Sequence, residues 1–440
     1  WGFSRLVDNF DAKWELVAAH GEEWTFFTNS GAPRYRLARV RLSDPTAWET
    51  VVPESEHTLG GGDYSAGAHC VGGKLILKYM KDVKDELVQC AMDGTVECSV
   101  PLPAMGVVSA VTGRQGDEEL FFHFENFLAP PAVFRYRPAA RALDKVAETH
   151  IPGLDTSGFV IDQEFVTSKD GTKVPMFVVH ARDCPMDGAS AASLFGYGGF
   201  NVVKQPAFDP VNLALLQLLA EDESGGGGPG RGVWALANIR GGGEYGREWH
   251  QAGTGRRKQN VFDDFVACAE HLVARGYTSR ERLCIQGASD GGLLVTAVAN
   301  QRPDLAGCVL CQVGLLDMLR FHKFTIGHFW TADYGSPDDP GDFQALRAYS
   351  PYHNVQAGLR YPPMVFTTAD RDDRVVPLHT FKTVAALQAA VSQGEGGPIL
   401  VRIETKAGHS AGTATSKRLN MMADVYTFVL KALGVVLPAQ

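Results

Sequence analysis

The 440-residue chain is 45% hydrophobic and 21% charged, which excludes whole-chain disorder, because a disordered chain combines low hydrophobicity with high charge. Its 41 Lys and Arg against 50 Asp and Glu leave a net charge of −9, whereas a nucleic-acid binder normally carries a basic surplus. At roughly 150 residues per domain the length suggests two or three domains.

The chain opens on Trp1 with no Met, directly into strand-like sequence, and so reads as a fragment. Residues 1–155 alternate polar with apolar or aromatic residues in short runs, at 24–28, 35–42, 75–79, 120–124 and 132–136. Turn clusters rich in Gly, Asn, Pro and Asp separate the runs, so the pattern predicts antiparallel strands in a sandwich, barrel or propeller. From about residue 156 the texture changes. Apolar runs at 233–237, 283–286, 307–313, 364–368 and 399–403 read as buried strands, and 262–275, 291–301, 378–393 and 417–433 read as helices. Strand–helix alternation predicts an α/β domain with a parallel sheet over 156–440.

The longest apolar run, 211–220, is too short to span a membrane and ends in three acids. The glycine-rich stretch 221–231 reads as a flexible surface insertion. Eight widely spaced cysteines point to a reducing, cytoplasmic compartment, and the single CxxC, Cys308 to Cys311, lies in an apolar strand where packing is expected. No metal-ligand cluster or nucleotide-binding loop is evident, so no cofactor is expected.

GASDG at 287–291 fits G-x-S-x-G between a predicted strand and a predicted helix. In that turn the serine is strained and exposed, and the first backbone N–H groups of the helix face its oxygen. A serine nucleophile needs a general base and a carboxylate to orient it, in the chain order Ser, Asp, His for such a sheet. Asp372 follows the strand 364–368 and His409 follows the strand 399–403, so both fall past C-terminal strand ends, where open α/β sheets hold their sites. His379 lies too near Asp372 and begins a helix, while His322, His328 and His353 precede the acid.

These residues stand within longer stretches: SKDGTKVPM at 168–176, GYGGFN at 196–201, NIRGGGEYG at 238–246, KFTIGHFW at 323–330, DDRVVP at 372–377 and KAGH at 406–409. Together they resemble the prolyl oligopeptidase family of serine peptidases over 163–433, and residues 1–155 resemble the last blades of that family's β-propeller. The resemblance implies an α/β-hydrolase catalytic domain at 156–440 preceded by part of a propeller. It implies Ser289 as nucleophile, His409 as general base and Asp372 as its orienting acid. It also implies an oxyanion hole made by the Tyr197 hydroxyl and the Asp290 backbone N–H. Trp330 matches the indole that stacks on a substrate proline, Phe200, Tyr334, Val375 and Val376 match the pocket walls, and Arg374 matches an anchor for a substrate carbonyl. None of these walls supplies the buried acid that a basic-specific pocket requires.

Two departures carry expectations. The family usually has Asn after the nucleophile; here Asp290 would set a negative charge beside the oxyanion, opposing it by on the order of 2 kcal/mol at ~7 Å and favouring protonated His409. Phe329, where the family often has a smaller residue, is expected to narrow the pocket. The implied activity is hydrolysis of short peptides after proline through an acyl-enzyme. The alternatives are a peptide macrocyclase of the same family, or an impaired truncated homologue acting as a binding module. The expected partners are short proline-containing peptides, with no nucleic acid and no membrane. A full-length chain is expected to be a monomer, and a truncated propeller, with its open strand edges, to associate.

Overall fold

The computed structural model describes residues 5–60, 67–224, 230–391, 396–409 and 413–438. Two compact units make up the chain. The first holds Trp1–Leu154 with Val203–Phe208 and Gly243–His250; the second holds Asp155–Val202, Asp209–Gly242 and Gln251–Gln440.

The first unit consists of consecutive antiparallel sheets. β1 (Trp14–His20), β2 (Glu23–Thr28), β3 (Arg36–Arg41) and β4 (Asp44–Val52) pair in chain order. β5 (Thr58–Leu59), β7 (Lys74–Lys81), β8 (Lys84–Cys90) and β9 (Val96–Val100) form the next sheet, with β6 (Ala68–Val71) also pairing with β7. β10 (Val107–Thr112), β11 (Leu120–Asn126), β12 (Ala129–Arg137) and β13 (Ala142–Glu148) form the third. Side chains on a strand alternate between faces. On β7, Leu75 and Leu77 therefore join Phe27 and Leu37 of the first sheet, while Ile76 joins Val108, Leu120 and Phe122 of the third. The middle sheet buries both faces, and the stack is the expected part of a β-propeller.

The second unit is built on one eight-stranded sheet. Its strands are β14 (Phe159–Thr167), β15 (Lys173–Ala181), β16 (Ala192–Gly196), β17 (Val233–Ala237), β18 (Leu283–Ala288), β19 (Cys308–Gln312), β20 (Met364–Ala369) and β21 (Ile399–Glu404). They lie in the order β14-β15-β17-β16-β18-β19-β20-β21; β15 runs against both neighbours, and β17 through β21 are parallel. The inner parallel strands β16 to β20 are buried on both sides, which is why they read as unbroken apolar runs, while the edge strand β21 leaves Leu400 and Ile403 exposed. Helices Pro210–Ala220 and Thr415–Ala432 pack Leu215, Leu219, Val425 and Val429 on the face that shows Cys284, Cys308 and Leu310. On the opposite face a Cβ at Gly196 would stand 2.6 Å from both Phe265 and Leu294, so the helices Gln259–Ala274 and Asp290–Gln301 sit directly on the sheet.

Each expected strand and helix of this unit is present within about three residues, the usual scatter at element ends. The last two residues expected in the helix 378–393 lie outside the described residues, as do 225–229 of the glycine-rich stretch. The start of that stretch is anchored, with Asp222 buried and ion-paired to Arg282. All eight cysteines are free thiols, and Cys308 and Cys311 are buried in β19.

Candidate active site

Ser289 sits between β18 and the helix Asp290–Gln301 with φ 59° and ψ −111°, a conformation that costs a non-glycine residue of order 1–3 kcal/mol. The turn is held on several sides. Ser289 N donates to Gln312 O at 2.8 Å, and Ser289 O accepts from the N–H groups of Gly292 and Leu315. A Cβ at Gly291 would lie 2.5 Å from Gly196 O, so only glycine lets helix and sheet approach this closely.

β20 and β21 carry the partners. Asp372 is buried just past β20, and its Oδ1 accepts the backbone N–H groups of Arg374 and Val375 at 3.0 and 2.9 Å. Its Oδ2 lies 2.7 Å from His409 Nδ1, which fixes the ring's orientation and leaves Nε2 as the nitrogen able to take a proton. The imidazole is 11% exposed and so is not turned out to solvent. Among the described residues no hydrogen bond joins Ser289 to His409; in free hydrolases this link is often looser than in the working complex.

Ser289 opens on a pocket of about 260 Å³ lined by Tyr197, Phe200, Asp290, Leu315, Ile326, Trp330, Tyr334, Arg374 and Val375. Its aromatic floor interlocks, with Phe200 edge-on to Tyr334 at 5.4 Å and Phe321 stacked beneath Trp330 at 6.5 Å. Burial, followed by the charges of Asp290 and Asp333, pushes the Tyr197 phenol well above its ordinary range, so it remains a hydrogen-bond donor at neutral pH. Arg374 makes no salt bridge among the described residues and lines the pocket. Val375 also lines it and is buried, with its backbone N–H held by Asp372, while Val376 beside it is half-buried. Among the described residues no three His, Cys, Asp or Glu side chains gather as a metal site would require.

A sequence profile described as "Prolyl oligopeptidase family" matches residues 231–436, and one described as "Prolyl oligopeptidase, N-terminal beta-propeller domain" matches residues 2–149. The chain belongs to the prolyl oligopeptidase family. It is 39% identical over 436 residues to a prolyl endopeptidase of Elizabethkingia meningoseptica, covering 98% of this chain and 59% of that protein. To a dual function macrocyclase-peptidase of Amanita bisporigera it is 34% identical, covering 98% of this chain and 57% of that protein. A solved prolyl endopeptidase superposes with a TM-score of 0.88 at 40% identity, covering 98% of this chain and 61% of that one. Prolyl oligopeptidase B from Galerina marginata, bound to a 35mer hydrolysis and macrocyclization substrate, superposes with a TM-score of 0.89 at 32% identity, covering 99% and 60%. The chain thus spans about three fifths of the length of these relatives.

Within this member of the prolyl oligopeptidase family, two sequence expectations need correction. Asp290 does not present a free charge to the oxyanion position. Its carboxylate is fully buried, bridged by Lys258 Nζ at 3.1 and 3.2 Å and by the Tyr334 hydroxyl at 2.5 Å. Burial raises this carboxyl above its ordinary range, and Lys258 opposes part of that rise. None of the expected wall positions is an acid, as read from the sequence; Asp290, which also lines the pocket, is held by Lys258 and Tyr334. Phe329 is 69% exposed, with its ring against His328, and does not narrow the pocket. Sequence reasoning missed Lys258, Leu315 and Ile326. Lys258 closes the charge run GRRK at 255–258, which reads as a solvated surface; the available signal was Asp290 itself, an acid in an otherwise apolar helix that demands a partner.

Proposed function

We propose that this chain carries the active site of a serine endopeptidase that hydrolyses short peptides on the C-terminal side of proline. Ser289 Oγ attacks the scissile carbonyl while His409 Nε2 takes its proton. The Tyr197 hydroxyl and Asp290 N–H receive the developing oxyanion, and collapse expels the amine with the proton returned by His409. Water then repeats the cycle on the acyl-enzyme. Trp330, Phe200 and Tyr334 offer flat apolar faces suited to a pyrrolidine ring, which carries no donor. Because Lys258 and Tyr334 occupy Asp290, no free carboxylate is found among the described residues that line the pocket to favour Arg or Lys.

The observation that carries this reading is the strained Ser289 turn opening on a ring-lined pocket, with the His409–Asp372 pair past two neighbouring strands of one sheet. A fluorogenic peptide with proline before the cleaved bond, compared with its alanine counterpart and with Ser289→Ala as control, tests it. Cleavage selective for proline and lost in the variant is expected; equal cleavage of both peptides, or activity surviving in the variant, refutes it. The likeness to a macrocyclase-peptidase supports a second reading, in which an incoming amine instead of water resolves the acyl-enzyme. The product mass from a linear precursor separates the two. No helix of the described residues is long and apolar enough to cross a membrane, and eight free thiols suit the reducing cytoplasm we propose as its compartment.

A further inference from the structure

Behind the two oxyanion donors lies Lys258, 1% exposed in the turn that opens the helix Gln259–Ala274. Its ammonium donates to Gly198 O at 2.9 Å and to both Asp290 carboxylate oxygens at 3.1 and 3.2 Å, so each of its three protons has an acceptor. Gly198 follows Tyr197, the side-chain donor; Asp290 supplies the backbone donor. There is no slack in this junction, because a Cβ at Gly199 would stand 2.3 Å from Asp290 Oδ2. One ammonium therefore ties the loop after β16 to the first turn of the helix after Ser289.

We propose that Lys258 is a positioning residue of the oxyanion hole, setting the separation between the Tyr197 hydroxyl and the Asp290 N–H. The inference rests on the peptidase reading above. A buried ion pair is a poor way to gain stability, since apolar residues of similar volume often serve as well or better. Oxyanion donors, by contrast, act only when held in place before charge develops, and a displacement near 1 Å can cost about 10²-fold in rate.

The test compares wild type with Lys258→Met and with the double variant Lys258→Met/Asp290→Asn, in which no buried charge is left alone and Tyr334 keeps its acceptor. Three readouts are taken: the affinity of a peptide aldehyde ending in proline, which adds to Ser289 and places its oxygen in the hole; the affinity of the matching prolinamide, which binds without adding; and the rate at which a fluorophosphonate labels Ser289. We expect aldehyde affinity and labelling rate to fall about 10²-fold in both variants, with prolinamide affinity unchanged within about twofold. Aldehyde and amide weakening by the same factor, or labelling at the wild-type rate, overturns the proposal. A wild-type protein that takes the label but neither binds nor cleaves proline peptides overturns the peptidase specificity, while the labelling rates still decide the role of Lys258. A wild type that takes no label overturns both.

Discussion

At Ser289 the chain stores strain where its chemistry is expected, and the backbone angles say how to release it. Glycine tolerates the conformation, whereas alanine keeps a Cβ in it. Ser289→Gly should therefore unfold at higher denaturant than Ser289→Ala by about 1 kcal/mol, with both lacking activity. Chemical denaturation of the pair decides this, and an equal or greater stability of Ser289→Ala refutes it. At the next residue, Asp290→Asn was expected from sequence to improve the enzyme by removing a charge. The structure reverses that sign. The substitution leaves Lys258 buried without its counter-charge, so kcat/KM should fall rather than rise and stability should drop by about 3 kcal/mol, the lower end for breaking a buried pair because Asn keeps one acceptor. A more active Asp290→Asn protein would restore the earlier expectation.

Among the elements, the helix Leu378–Val391 is pinned by a histidine that must stay neutral. His379 Nδ1 accepts the Asp317 N–H at 3.1 Å, which a protonated ring cannot do. Burial lowers its pKa from 6.5 to about 4, opposed by Asp317 and Asp372 and assisted by Lys382. The folded value lies below the unfolded one, so the unfolded chain binds the proton first. The contribution is intact above pH 6.5 and lost as pH falls from 6.5 towards 4, amounting to about 3 kcal/mol at the acid end. In His379→Asn, whose amide oxygen can accept the same N–H, the loss of stability between neutral pH and the acid end should shrink by about 2–3 kcal/mol. Urea melts of both proteins across that range measure it; parallel pH curves would show that His379 is not the source.

On the scale of the whole molecule, the chain returns to its first unit twice after leaving it, at Val203–Phe208 and Gly243–His250. Asp85, a buried residue of β8, accepts the Val108 N–H of β10 at 2.8 Å on one oxygen and Gln205 Nε2 at 2.8 Å on the other. The first unit is thus completed by residues more than a hundred positions downstream. Gln205→Leu leaves a buried carboxylate short of a donor and should destabilise this unit by about 1–3 kcal/mol. Hydrogen exchange should quicken in β8 and β10 and hold in β16 to β20. Equal quickening in both groups, or in neither, would contradict this.

Much was legible without coordinates because it rests on short-range regularities. Period-two alternation exposes the blade strands, unbroken apolar runs expose the parallel ones, and G-x-S-x-G between a strand and a helix locates Ser289. Strand ends then locate Asp372 and His409. What the one-dimensional pattern could not carry was which side chains share a buried space. Lys258 looks like surface because charge beside charge normally seeks water, and Asp290 looks like a liability until that lysine is seen beside it. Val375 and Val376 are indistinguishable as letters, yet the fold buries the first and leaves the second half-exposed. Burial and pairing are properties of three-dimensional neighbours, and an ionised group changes from cost to brace according to what stands within about 3 Å of it.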